Sequence, residues 1–171
     1  MDTKNIIENF KNKKDKIFKL SDLCGKHENN IAKKLFEVLG WNNLEKKEYN
    51  NGLFGWKEFK TDKCRKLNEQ LLIIEVKKVT EKSEYGYWHA LIQGTLYSFL
   101  QSKESKDKKK EDYLILCIVL DWGRKAGSKL NTDEQSFINK FKEDKIYFIR
   151  INMVGPKFIE HNLGNSWMII E

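Results

Sequence analysis

Apolar residues in the first part of the chain recur at the three- and four-residue spacing of amphipathic helices. One such stretch, rich in lysine, covers Lys4–Phe18, and a second covers Glu28–Leu39. Residues three and four apart share one face of a helix, and glycine commonly follows the last helical residue. The pattern therefore predicts two N-terminal helices, with Gly25 between them and Gly40 ending the second.

The spacing becomes strand-like after Leu44. Asn51-Gly52 is a common hairpin-turn pair, and Phe54–Cys64 mixes aromatic residues with charged ones. Leu71–Val76 is a short run with four apolar residues at its start. Short runs bounded by such turns are typical of β-strands. We therefore expect three antiparallel strands in this part of the chain.

The second half of the chain alternates between the two patterns. Apolar residues between Trp88 and Leu100 mark an amphipathic helix of about 16 residues that ends before Lys103. The charged run Lys103–Glu111 after it is expected to be an exposed loop. Tyr113–Leu120 is apolar throughout, as in a central strand that is buried on both faces. A Thr132/Gln135 capping box then predicts the start of a short helix, which carries Phe137, Ile138 and Phe141. The last two predicted elements are a strand over Ile146–Met153 and an edge strand over Trp167–Ile170.

These elements follow the order α-α-β-β-β-α-β-α-β, which indicates an α/β protein with a mixed central sheet flanked by helices. A length of 171 residues suits one domain, 1–171, in which 1–24 form a helical extension. The three cysteines form no CxxC pair, and Cys117 and the five tryptophans are expected to be packing residues.

Positive charge exceeds negative charge, with 32 Lys and Arg against 25 Asp and Glu and a net charge of +7. This balance favours a polyanionic partner without choosing between nucleic acid and an anionic membrane surface. Because all but three of the positive residues are lysines, contacts should be to phosphates more than to base edges. No apolar run approaches the ~20 residues of a membrane helix, so we expect a soluble, cytoplasmic protein.

The candidate chemistry lies at the end of the strand predicted around residues 71–76. Glu75 and Lys77 are two residues apart and should project from the same face. A hairpin loop at Asn68-Glu69 would pair residues whose numbers sum to 137, which places Asp62 opposite Glu75. Two opposed carboxylates repel each other, and Mg²⁺ or Mn²⁺ is their natural counter-charge.

Glu28 is a third acid with an independent reason to face the core. It shares its helix stripe with Ile31 and Leu35. The structural alternative is that its negative charge stabilises the positive end of the helix dipole. For the opposed carboxylates, the alternatives are a cluster of surface charges, or Glu58 as donor in place of Asp62.

A polar row is predicted on the later helix, where His89, Gln93 and Tyr97 follow one another at intervals of four residues. Gln93 could orient a water molecule or hold Lys77, and Tyr97 could contact a phosphate. His89 is expected to be a boundary residue rather than a ligand.

Taken in order, these motifs resemble the PD-(D/E)xK nuclease superfamily over roughly residues 25–122. The matching segments are Gly25-Lys-His-Glu28, Gly40-Trp41, Asp62, Glu75-Val-Lys77 and Gln93-Gly-Thr-Leu-Tyr97. The first-helix Glu and the QxxxY helix are similar to RecB-like nucleases, archaeal Holliday-junction resolvases and the nuclease domains of type I restriction motor subunits. Thr61, where the family has Pro, and the polar Lys63-Cys64-Arg65 depart from the pattern.

The resemblance implies a restriction-endonuclease-like core and metal-dependent hydrolysis of phosphodiester bonds, with DNA as the expected substrate. Mg²⁺ is the implied cofactor, with Mn²⁺ as its substitute. The implied site residues are Asp62, Glu75 and Glu28 as metal ligands, Lys77 to position or deprotonate the attacking water, and Gln93 and Tyr97 to fix the neighbouring geometry.

The implied partner is nucleic acid and not a membrane, in a homodimer or a larger restriction- or repair-type assembly. One alternative is a nuclease fold that has lost catalysis and binds nucleic acid or a protein. Another is a protein that coats nucleic acid through the aromatic residues of 54–59.

Overall fold

The computed structural model describes residues 3–49, 59–67, 70–80, 86–106, 112–123, 145–154, 157–161 and 167–170. Its α-helices are α1 (Thr3–Asn12), α2 (Lys14–Phe18), α3 (Glu28–Leu39) and α4 (Gly86–Lys106), with a 3₁₀ helix at Lys19–Leu23. Its strands are β1 (Glu48–Tyr49), β2 (Phe59–Lys60), β3 (Lys63–Leu67), β4 (Gln70–Val79), β5 (Asp112–Asp121), β6 (Ile146–Asn152), β7 (Lys157–His161) and β8 (Trp167–Ile170).

Strands β3 to β8 form one mixed sheet in sequential order, and β1 pairs with β2 in a separate short ladder. The central strands β4, β5 and β6 are parallel. Strand β3 is antiparallel to β4, β7 is antiparallel to β6, and β8 is antiparallel to β7. Helices α1, α2 and α3 pack on one face and α4 packs on the other. The prediction of a mixed α/β sheet flanked by helices is therefore confirmed.

The central strands are apolar along most of their length because helices cover both of their faces. Ile73 of β4 belongs to the core on the α4 side, whereas the next residue, Ile74, belongs to the core under α1 to α3. Helix α4 comes very close to the sheet at Gly94, where an added Cβ would lie 3.0 Å from Ile146 Cγ2 and 3.1 Å from Cys117 Sγ. The glycine in the middle of α4 thus permits the close approach.

Several predicted elements are confirmed. Helix α3 has the predicted bounds, and Gly40 ends it in the left-handed conformation, with φ 74°. Strand β5 is the buried central strand, and Cys117 is a core residue. Strand β8 lies at the edge of the described sheet, where it pairs with β7 alone, as predicted for an edge strand.

Other predictions need correction. The first helix is interrupted at Lys13, and strand β7 was not predicted at all. Helix α4 continues to Lys106, because Lys, Glu and Ser after Leu100 are compatible with a helix, so the charged run begins inside the helix and not in a loop. Trp88 is 55 % exposed and is therefore not a packing residue like Trp41.

The aromatic strand predicted up to Cys64 is divided in the structure. Its end forms β2 and β3, which are separated at Thr61 and Asp62 and pair with different strands. The turns at 51–52 and 68–69, residues 54–58 and 107–111, and the helix predicted around 132–141 lie outside the described residues. None of the helices in the described ranges is both long and apolar enough to cross a membrane.

Candidate active site

Glu75 and Lys77 lie near the end of β4, on the sheet face that α4 covers. In the parallel ladder they are paired with Cys117 and Val119 of β5. Glu75 is 2 % exposed and Lys77 is 9 % exposed. Lys77 Nζ donates a hydrogen bond to Glu75 Oε1 at 2.6 Å, so the two side chains share one face, as strand alternation predicts.

Asp62 lies directly before β3, beside the end of β4. The β3–β4 ladder pairs Lys63 with Ile74, which is the predicted register, in which the paired numbers sum to 137. Asp62 Oδ2 accepts a hydrogen bond from the Val76 amide at 2.7 Å. The carboxylate thus continues the contact between the two chain segments where the regular ladder has ended.

Glu28 begins α3 and reaches the same end of β4. Its Oε1 accepts a hydrogen bond from Lys77 Nζ at 3.3 Å, and its Oε2 accepts one from the Lys78 amide at 2.8 Å. The Glu28 side chain is 36 % exposed, so the site is open to solvent on this side. The inward direction predicted from the helix stripe is therefore correct for Glu28.

The electrostatics of this cluster are dominated by negative charge in a buried place. The pKa of Glu75 is raised from 4.5 to about 7. Burial is the largest cause and the negative charge of Asp62 is the second, and the Lys77 ammonium offsets them only in part. Burial also raises the pKa of Asp62, and the charge of Glu28 adds to this effect. Lys77 is affected in the opposite sense: burial lowers its pKa, but the charges of the three carboxylates outweigh burial and keep it protonated.

The donor chemistry of Asp62 and Glu75 fits a hard divalent cation. Mg²⁺ is usually bound through one or two carboxylates, while waters and substrate phosphates complete its coordination. Within the described ranges, no group of three or more His, Cys, Asp or Glu side chains is gathered around a common metal position. Asp62 and Glu75 present a pair of carboxylates suited to such an ion. Glu28 accepts a hydrogen bond from Lys77 in this structure, and its role as a third metal ligand stays a prediction.

Tyr97 of α4 closes the buried side of the cluster. Its hydroxyl donates a hydrogen bond to the Lys60 carbonyl at 2.8 Å and lies 3.3 Å from Glu75 Oε2. Its ring stacks on Tyr49, with ring centroids 6.0 Å apart. Because burial and the nearby carboxylates raise the pKa of Tyr97, its hydroxyl keeps the proton that it presents to these two oxygens.

The other two residues of the polar row on α4 differ from Tyr97. Gln93 has a buried Oε1 atom without a hydrogen-bond partner among the residues described. Within the described part of the chain, this oxygen therefore makes no direct hydrogen bond to the acid cluster. His89 is exposed, as expected for a boundary residue.

Sequence reasoning missed Lys78, which organises the segment that leads into α3. Its Nζ donates hydrogen bonds to the carbonyls of Cys24 and Lys26 and lies 5.8 Å from the centroid of the Trp122 ring. Its amide binds Glu28. The available signal was strand alternation, which directs Lys78 to the face opposite Glu75 and Lys77, towards α3.

The role of Thr61 was also missed. Its amide donates to the Lys47 carbonyl at 3.0 Å, and its hydroxyl accepts from the Lys47 amide at 3.0 Å. Proline has no N–H and could not make the first of these bonds. Threonine at this position therefore has a specific role in anchoring the residue before Asp62.

No family model, curated protein or solved structure matches this chain. The motif resemblance stays a prediction, and the function must be inferred from the geometry of the site.

Proposed function

We propose that this chain is a metal-dependent nuclease that hydrolyses phosphodiester bonds, with DNA as its substrate. The observation that carries the proposal is the buried Glu75 carboxylate beside Asp62, with its pKa raised to about 7 even though Lys77 is only 2.6 Å away. A structural role alone gives little reason to keep these charges, because apolar residues of similar volume can often replace a whole buried ion pair without loss of stability. Burial of excess negative charge is instead the arrangement that a cation-binding site requires.

Asp62 and Glu75 would hold the Mg²⁺ or Mn²⁺ ion. When bound, the ion supplies charge stabilisation at the phosphoryl group and lowers the pKa of a water molecule. The chain itself fixes the two carboxylates, since Val76 donates to one and Tyr97 and Lys77 contact the other. These contacts restrict the ligands before substrate arrives, which is the usual role of residues behind a metal ligand.

Lys77 supplies the positive group of the chain at the reaction centre. An ammonium has three N–H donors, and the acid cluster accepts two of them, at Glu75 and Glu28. The third can orient a water molecule or bind a phosphate oxygen. Because the carboxylates raise its pKa, Lys77 acts in this proposal as a cation that positions water and neutralises charge, not as the base.

The topology supports a restriction-endonuclease-like core as part of the proposal. The site residues come from β4, from the segment just before β3, and from the helices on both faces of the sheet. Glu28 then acts from α3 by holding Lys77, and Tyr97 acts from α4 by holding Glu75. Gln93 would contribute its buried carbonyl oxygen to a water molecule beside the site.

Incubation with nucleic acid tests the proposal directly. The purified chain is mixed with supercoiled plasmid, single-stranded DNA, a branched DNA junction and single-stranded RNA, each with Mg²⁺, Mn²⁺ or EDTA. We expect metal-dependent cleavage of a DNA substrate that Glu75→Gln abolishes. Glu37→Gln is the matched control, because Glu37 is exposed and pairs with Lys34 on the outer side of α3.

The result also distinguishes the rival function. Binding of nucleic acid without cleavage of any substrate, in either metal, would support a nuclease fold that has become a binding module. Cleavage of RNA alone would retain the reaction but change the substrate.

A further inference from the structure

Helix α4 carries large apolar side chains on both its inner and its outer face. Ala90, Tyr97 and Leu100 are buried against the sheet. On the outside, Trp88 is 55 %, Ile92 62 % and Phe99 47 % exposed. A helix that is apolar all round is normally covered all round, and contiguous exposed apolar patches commonly mark interaction sites.

The outer residues follow a regular spacing. Trp88, Ile92, Thr95 and Phe99 are separated by four, three and four residues, and all four are exposed. The alternation of four- and three-residue steps is that of the seam between two packed helices. We refer to these four residues as the α4 seam.

We propose that the α4 seam is the docking surface for a second copy of this chain, with the two α4 helices antiparallel. A two-fold axis that passes midway between Ile92 and Thr95 makes the seam self-complementary. It brings Trp88 onto Phe99 of the partner subunit, and Ile92 onto Thr95 of the partner subunit, and repeats both contacts by symmetry. Each Trp–Phe pair would bury aromatic area that the single chain leaves exposed.

The charges on this face favour the antiparallel arrangement. Lys103 lies at the C-terminal end of the seam, with its Nζ 5.4 Å from the centroid of the Phe99 ring. Parallel helices would place two Lys103 ammonium groups side by side, whereas antiparallel helices separate them and oppose the helix dipoles favourably. Among the side chains described on this face, Lys103 is the one lysine or arginine, so a polyanion is a poorer occupant than a second apolar seam.

The interface would be small. Two helices packed against each other bury less than about 1,200 Å² of accessible surface in total, which is at the lower end for specific interfaces. We therefore expect a reversible dimer with a dissociation constant in the micromolar range. The proposal does not depend on nuclease activity, because the seam lies on the face of α4 opposite Tyr97.

Sedimentation velocity over a range of protein concentrations, without nucleic acid or metal, tests the dimer. We expect the native chain to shift from monomer to dimer and Ile92→Glu to remain monomeric throughout. Val154→Glu is the matched control, since Val154 is 56 % exposed but lies after β6 and not on the seam. Circular dichroism checks that each variant is folded, and Phe99→Glu provides a second seam variant.

Three outcomes would overturn the proposal. One is a native chain that stays monomeric at the highest concentration. Another is a dimer that persists in folded Ile92→Glu and Phe99→Glu. The third is a monomer whose affinity for single-stranded DNA falls in Ile92→Glu but not in Val154→Glu, which would assign the seam to nucleic acid.

Discussion

Glu75 is a carboxylate in a position that packing alone would fill with an apolar residue. Leu71 to Ile74 before it and Val76 after it are buried, and so is the carboxylate itself. An interior charge costs several kcal/mol of hydration unless its partners compensate. Lys77 and Tyr97 compensate in part, but the raised pKa shows that the ionised form is still disfavoured. A buried charged group that lowers the stability of the fold is typical of functional sites.

At the residue scale, we expect Glu75→Gln to stabilise the fold at neutral pH. The folded pKa of about 7 exceeds the ordinary value of 4.5, so between these values the folded chain retains a proton that the unfolded chain has lost. The native protein should therefore lose stability as pH rises through this window, by up to about 3 kcal/mol at roughly 1.4 kcal/mol per pKa unit. The amide side chain of the variant cannot titrate, so the variant should escape the loss.

Urea unfolding of the native chain and of Glu75→Gln at pH 5 and pH 7.5, without divalent ions, measures this difference. Lys77 stays charged throughout this range, because its pKa is raised, so the comparison reports on Glu75 together with the neighbouring Asp62 carboxyl, whose pKa burial also raises. An equal difference in stability at both pH values would contradict the interpretation. Glu37→Gln, which changes an exposed carboxylate, should show no comparable dependence.

At the scale of elements, the start of α3 is held to the sheet by one strand residue. Lys78 binds the carbonyls of Cys24 and Lys26 through its side chain and binds Glu28 through its amide. We expect Lys78→Met to reduce cleavage by releasing this segment, although Lys78 does not touch the reacting groups. Lys34→Met, on an exposed position of α3, is the matched control.

A double-mutant cycle separates positioning from general stability. If Lys78 acts through Glu28, Lys78→Met combined with Glu28→Gln should reduce kcat no further than the more damaging single change. If the fold-reduction of kcat in the double variant equals the product of the two single reductions, Lys78 stabilises the fold without positioning Glu28. Thermal unfolding of the same variants reports the stability term on its own.

Elements with local signals could be predicted, whereas those defined by distant partners could not. The apolar stripe and Gly40 specify α3. The β3–β4 register was predicted correctly from a short hairpin loop placed at 68–69, because the length of such a loop determines which residues pair. The break at Thr61 was missed because it depends on Lys47, fourteen residues away. Likewise Glu75 and Lys77 stand out in the sequence, but the role of Lys78 requires the packing of α3 against β4.

At the scale of the whole molecule, the net charge of +7 is carried mostly by lysine. We expect the affinity for duplex DNA, measured by fluorescence anisotropy in EDTA, to fall linearly in log units with log salt. The slope should be about −0.9 per phosphate contact, with little preference for sequence. A complex that is insensitive to salt and strongly selective for one sequence would contradict a binding mode based on lysine and phosphate.

We expect Mg²⁺ binding at the acid cluster to raise the Tm of the whole chain. A ligand that binds only the folded state raises its stability, and free Mg²⁺ at ten times its Kd gives about 1.4 kcal/mol, or roughly 3–6 °C in Tm for a chain of this size. Scanning calorimetry with and without Mg²⁺ measures the shift. It should shrink in Asp62→Asn and Glu75→Gln, because each change removes a carboxylate from the pair.

Lys77→Met distinguishes a ligand from a reacting group in the same measurement. Removal of the ammonium leaves Asp62 and Glu75 with more uncompensated charge, so the Mg²⁺ shift should persist or increase while cleavage is lost. A variant that loses both the shift and the cleavage would instead make Lys77 necessary for the geometry of the carboxylates. If titration calorimetry detects no Mg²⁺ or Mn²⁺ binding to the native chain, even with DNA present to contribute phosphate oxygens, the nuclease proposal fails. The acid cluster would then be a structural feature of a binding module.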